Sequence, residues 1–198
     1  MFEPPQHVID AYNEPHRKYH NLQHIGSILS KIPLFVQEYG LSPLHSLHLE
    51  ILAWYHDVVY TPGNKMNEAA SSNVYMEDRD SLPKVTGGSR IIDTIVKTGS
   101  YEDHASHTDP PTFIAAIFFD LDLADMGTDS YIPNSFKIRE EFGEFSDLEW
   151  LAGRQKFLAD FLSRPFIFHT SLGYKLWEEK ARRNMENELH FLKGKYGF

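Results

Sequence analysis

The sequence predicts an all-α protein, a single domain of about eight to ten helices covering residues 1–198. Three observations carry this. Apolar residues recur at steps of three and four along most of the chain, the period of a helix with one buried face. No stretch shows a run of strand alternation. Helix punctuation falls where the period starts and stops, as at Gly40 and at Ser42-Pro43.

Taken in order, Leu22, Ile25, Ile28, Leu29, Ile32 and Val36 define a helix over His20 to Tyr39, with a kink or break expected just before Pro33. Gly40 stops it, Ser42 caps the next, and Pro43 takes the first helical position. That helix runs through Leu47, Ile51, Leu52 and Trp54 to about Val59, so His56 and Asp57 are expected late within it. Thr61-Pro62-Gly63-Asn64 has the composition of a loop. Further helices are expected over about Asn67 to Arg79, Gly88 to Thr98, Thr112 to Met126, Ser135 to Phe145, Asp147 to Leu162 and Leu172 to Leu192. In the last, Glu178 with Arg182 and Glu179 with Arg183 are spaced to pair along an outer face. The polar segment Tyr101 to Pro111 reads as a loop, and no repeat or Gly/Ser/Pro-rich linker divides the chain.

Composition narrows the functions. The chain has 198 residues, 41% hydrophobic and 24% charged, enough for one proper core. A net charge of −9 argues against a nucleic-acid surface but leaves room for a small phosphorylated ligand, which needs only local cations. The absence of cysteine excludes disulfides, thiolate metal sites and cysteine nucleophiles, so any metal must be held by His, Asp or Glu. Met1 to Ala11 has no targeting pattern, and the longest apolar run, Phe113 to Phe119, is too short to span a bilayer. The expectation is a soluble cytoplasmic protein with no membrane partner; the oligomeric state is not legible. The rings of Phe142, Phe145, Trp150 and Phe166 suit a core or an interface.

Histidine is abundant, with 11 copies. His20 and His24 lie four apart, the spacing that puts two side chains on one helix face. His56 and Asp57 follow where an apolar helix turns polar, and Asp120 and Asp122 offer a carboxylate from a separate helix. Imidazole and carboxylate together suit zinc, iron, manganese, nickel or cobalt. The dipeptide alone carries little weight, since about 0.7 His-Asp pairs are expected by chance in this composition. The HNLQH string lacks the glutamate of HExxH metalloproteases.

The order of these elements carries more. Tyr19-His20-Asn21-Leu22-Gln23-His24, then Trp54-Tyr55-His56-Asp57, then Asp120-Leu121-Asp122-Leu123 resembles the HD-domain superfamily of metal-dependent phosphohydrolases. The first string is also similar to one in cyclic-nucleotide phosphodiesterases. Asn67-Glu68-x-x-Ser71, Gly153-Arg154 and Ala181-Arg182-x-Asn184 extend the likeness to a bacterial branch of predicted metal-dependent phosphohydrolases, over roughly Tyr12 to Leu192. The resemblance implies an HD-like helical domain in which His24, His56, Asp57 and Asp122 ligate a divalent ion (Mn, Fe, Ni, Co, Zn or Mg), with Asp120 as the alternative to Asp122. It implies that His20 protonates the leaving oxygen and that Glu68 orients or deprotonates the attacking water. Glu68 equally suits a helix N-terminus, where a carboxylate is favoured.

Where that branch places Thr-x-x-His, the sequence reads Thr98-Gly99-Ser100-Tyr101, which favours one metal over two; His104 and His107 follow in a polar loop. Lys18, Lys65, Asn21 and Arg154, with Arg17 and Arg139 beside them, are the candidates to bind substrate. The expected activity is hydrolysis of a phosphate ester, mono- or diester, of a nucleotide or small metabolite. The alternative is a non-catalytic nucleotide- or protein-binding module that keeps the metal site.

Overall fold

The computed structural model describes residues 2–85, 88–99 and 113–196, and among them it is all-helical, with no strand. The elements in order are α1 (Gln6–Ala11), α2 (Leu22–Tyr39), α3 (Pro43–Tyr55), α4 (Asn67–Asp78), α5 (Gly88–Thr98) and α6 (Phe113–Leu123). A 3-10 turn (Ala124–Gly127) leads to α7 (Tyr131–Glu141) and α8 (Asp147–Ser163). The chain then returns through α9 (Ser171–Gly173), a π-helical stretch (Tyr174–Glu178) and α10 (Glu179–Tyr196). No helix among the described residues is long and apolar enough to cross a membrane.

α3 is the hub, packing against α2, α4, α5 and α6, while α10 packs against α7, α8 and the 3-10 turn. The segment from α6 through the 3-10 turn joins these groups, and one hydrophobic cluster runs through both, from Ile25, Phe35 and Leu52 to Phe118, Trp177 and Met185.

Local chemistry explains most boundaries. The Asn21 side chain accepts from the N–H of Gln23 to start α2, and Gly40 ends it in the left-handed conformation that glycine adopts without strain (φ 59°). α2 passes through Pro33 unbroken. Proline removes one N–H from the helix ladder, and buried Ile28, Ile32 and Phe35 on either side hold the remainder in place. Ser42 and His45 satisfy each other's backbone donors at the start of α3, as Ser146 and Glu149 do for α8.

Three expectations are corrected. α3 ends at Tyr55 rather than near Val59, so His56 caps the helix and Asp57 lies beyond it. His20 precedes the N-cap of α2 and does not share a helix face with His24. Glu178, expected on an outer face, is buried: it keeps the Arg182 contact (2.7 Å) but also accepts the N–H groups of Ile167 and Phe168. Tyr101, His104 and His107 lie outside the described residues.

His48, on α3, is buried with no partner for Nε2, and burial, reinforced by nearby His45 and Arg90, lowers its pKa from 6.5 to about 4. Between those values the unfolded chain binds the extra proton, so the stability tied to a neutral His48 is intact above pH 6.5 and lost as pH falls toward 4. Urea unfolding should therefore show stability falling with acidification across this window, and a shallower fall in His48→Leu protein.

Candidate metal centre and cavity

α2, α6 and the end of α3 bring His24, His56 and Asp122 together: each offers one ligand atom, and these atoms lie within 4.8 Å of one another. His24, in the first turn of α2, places Nε2 3.1 Å from Oδ1 of Asp122, a residue 98 positions away. At the end of α3, His56 donates from Nδ1 to the Ala53 carbonyl (3.0 Å), which fixes a proton on that nitrogen. Its Nε2 then faces Oδ2 of Asp57 at 3.3 Å and Oδ1 of Asp122 at 3.4 Å.

That nitrogen is buried and makes no hydrogen bond of acceptable geometry. A lone pair directed at two carboxylates is repulsive unless something positive lies between them. A backbone carbonyl on the far nitrogen is also the usual outer support of a metal-ligating histidine. The two imidazoles and one carboxylate of the His24–His56–Asp122 group fit a divalent cation, and Asp57, beside His56, falls outside that group. In the absence of one, burial disfavours charge on His56, but Asp57 and Asp122 outweigh it and hold the pKa well above its ordinary value. Burial pushes the two acids up, and the histidines more than offset this: Asp57 falls to about 2, and Asp122 lies well below the ordinary range.

Arg17 holds the turn that presents Asp57. Buried beneath the site, it donates to the carbonyls of Asp57 (2.7 Å), Val58 (2.9 Å) and His20 (3.3 Å) and pairs with Glu14 (2.9 Å). It thus ties the two motif strings together from below.

His20 lines the cavity in front of the metal group, as do Asp57, Glu68 and Asp122. Its partner, not expected from the sequence, is Glu141 at the end of α7. His20 Nδ1 lies 2.6 Å from Glu141 Oε2, and Tyr60 donates its hydroxyl to the same oxygen at 2.9 Å. Glu141 Oε1 accepts the backbone N–H groups of Lys18, Tyr19 and His20 at 2.8, 2.7 and 2.9 Å. The His20 ring stacks on Tyr60 at 4.2 Å. Burial lowers the His20 pKa, but the Glu141 hydrogen bond and the field of Asp57 outweigh it, and the net direction is upward. Glu68 sits in the first turn of α4, packed against Gly99, where an added Cβ would fall 2.5 Å from its carboxyl carbon. Burial and the field of Asp57 raise its pKa.

Other candidates lie elsewhere. Asp120, two residues from Asp122, is turned away: it accepts from His169 N (2.6 Å), Thr170 N (2.9 Å) and Thr170 Oγ1 (2.6 Å), and burial pushes its pKa up to about 7. Lys18, Lys65 and Asn21 are not among the residues lining the cavity. Lys18 reaches the Pro15 carbonyl, Lys65 is exposed, and Asn21 caps α2. Arg139 binds the carbonyls of Phe142 and Phe145 and the Asp147 carboxylate. Arg154 does line the cavity, but its Nε and Nη2 hold Glu188 in a buried two-point pair, each at 2.9 Å.

No family model matches the chain, and no curated protein or solved structure matches it. Fold and site together define a protein, all-helical among the described residues, with a His24–His56–Asp122 group, its histidines buried, that could hold a metal ion. Asp122→Asn protein should lose metal retained through gel filtration, measured by elemental analysis, whereas Asp120→Asn protein should lower the melting temperature yet keep its metal.

Proposed function

We propose that the protein is a metal-dependent phosphohydrolase of the HD type, acting on a small phosphate ester. The observation that carries this reading is the joint presentation, in one cavity, of a His/Asp metal group and a carboxylate-backed histidine. His24, His56, Asp57 and Asp122 would hold one divalent ion. When bound, such an ion supplies a water acidic enough to attack at neutral pH and offsets charge on the phosphoryl oxygens.

The chain's own residues account for the protons. Glu68, half-buried with a raised pKa, accepts a proton from the attacking water. The water oxygen forms the new P–O bond as the ester P–O bond breaks, and the departing oxygen takes a proton from His20. Glu141 holds His20 through Nδ1, which leaves Nε2 as the donor, and the raised pKa keeps that proton in place near neutrality. Tyr60, stacked on the ring and bonded to Glu141, restricts its rotation. Arg17 keeps Asp57 and His20 in register. The products are an alcohol and inorganic phosphate, or a phosphomonoester if the substrate is a diester.

Purified protein loaded with manganese, cobalt or nickel should hydrolyse simple phosphoesters, and His56→Ala or Asp57→Ala protein should be inactive. Full activity in either variant would sink the reading. Ligand binding without turnover under every metal would favour the non-catalytic module instead.

His20→Ala should lower kcat by about 10²–10⁴-fold on alkyl phosphates. It should have far less effect on p-nitrophenyl phosphate, whose leaving oxygen departs without a proton. Glu141→Gln should show the same leaving-group dependence with a smaller loss. An equal loss on both ester types would argue against proton donation by His20.

A further inference from the structure

The cavity that contains the metal group is also lined, on its α7–α8 side, by Ile138, Phe142, Phe145, Trp150 and Phe157. The four aromatic residues are each only half-buried. Phe142 lies 5.3 Å from Phe145 and 5.2 Å from Trp150, ring centre to ring centre, so these three rings form a continuous wall, with Phe157 further along the lining. Two arginines pack on the wall. Arg139 lies over Trp150 at 5.6 Å and binds the carbonyls of Phe142 and Phe145, and Arg154 sits 4.9 Å from the centre of Phe157. The cavity of about 490 Å³ has the size of a small-molecule site, roughly 300–1,000 Å³.

Charge makes a second, independent observation. Beside the acids Asp57, Glu68, Asp122, Asp125 and Glu149, Arg154 is the one Lys or Arg among the described lining residues, and it is paired with Glu188, while the His20 ring is held by Glu141. One phosphate can be neutralised by the metal. A second phosphate or a carboxylate on the same molecule would meet acidic side chains and rings.

We propose that the substrate is a monophosphate ester of a bulky, uncharged aromatic group, which lies against Phe142, Trp150 and Phe157 while its phosphate meets the metal. This rests on the phosphohydrolase reading, and the two can be tested apart. In manganese-loaded protein, 1-naphthylmethyl phosphate and propyl phosphate release alkoxides of similar basicity, so their kcat/KM ratio reports binding of the ring. The ring-bearing ester should be preferred by about 100-fold, and adenosine triphosphate should be a poorer substrate than either. Trp150→Ala and Phe157→Ala should each cut the preference about tenfold, mainly through KM, while Leu148→Ala, exposed on the same helix, leaves it unchanged. Trp150→Phe and Phe142→Leu, which keep an apolar side chain, should give smaller cuts and guard against loss of fold.

Calorimetric binding of 1-naphthylmethylphosphonate, which cannot be hydrolysed at an ester oxygen, should weaken in parallel. Hydrolysis with no ring preference, with the triphosphate favoured, or with the preference intact in the variants would overturn the proposal and leave the phosphohydrolase reading standing. Phosphonate binding that weakens in the variants, with no ester turned over under any metal, would support the aromatic site and overturn the hydrolytic reading. Neither binding nor turnover would overturn both.

Discussion

Two carboxylates and two imidazoles share a site from which bulk water is largely excluded, and much of the surrounding structure serves that arrangement. Asp57 and Asp122 could not remain ionised side by side in such a place without positive charge between them. His56 cannot turn away, because Ala53 holds its other nitrogen, and Arg17 pins the turn carrying Asp57 from beneath. The helices that deliver these groups, α2, α3 and α6, pack against one another through the core, where Ile25, Leu52 and Phe118 are fully buried. Apolar packing thus supplies the rigidity that an electrostatically demanding site requires.

Buried polar networks repeat the theme elsewhere. Glu141, Glu178, Glu188 and Asp120 are each enclosed, and each is answered by several donors. Removing one partner from such a network leaves the other desolvated and unpaired, which costs more than the bond itself contributes. Three of these carboxylates fix where loops sit, residues 18–20 on α7, 167–168 on the π-helical stretch and 169–170 on α6, while Glu188 ties α7 and α8 to α10. The site's geometry is held by acids that never face the cavity as well as by those that do.

Local pattern was enough to read α2 and the start of α3, since Gly40, Ser42 and Pro43 act through bonds within a few residues. The metal group was legible as an ordered set of residue types, and the structure brings His24, His56 and Asp122 together. What local pattern misses is set from a distance. α3 stops short because Arg17, some 40 residues away, takes the carbonyls of Asp57 and Val58. Glu178 keeps its i,i+4 partner Arg182 yet sits inside the fold, because the N–H groups of Ile167 and Phe168 claim its carboxylate. Glu141 gave no signal at all: it lies 121 residues from His20, in a helix whose composition marks it as one more surface acid. The partner of Arg154 was hidden for the same reason, since Glu188 lies 34 residues away, whereas Lys18 is engaged locally by the Pro15 carbonyl.

Glu141 is the last residue of α7, and Phe142 follows it directly. One peptide unit therefore joins the carboxylate that orients His20 to the first ring of the aromatic wall. Shape and acidity are mechanically geared. A change that tilts the end of α7 to admit a different ring also swings the acceptor of the His20 proton, and a change that retunes that proton reshapes the cavity. On the proposed phosphohydrolase reading, new specificities that spare the chemistry are then expected to arise through Trp150 and Phe157 on α8, which stand on the other side of the turn.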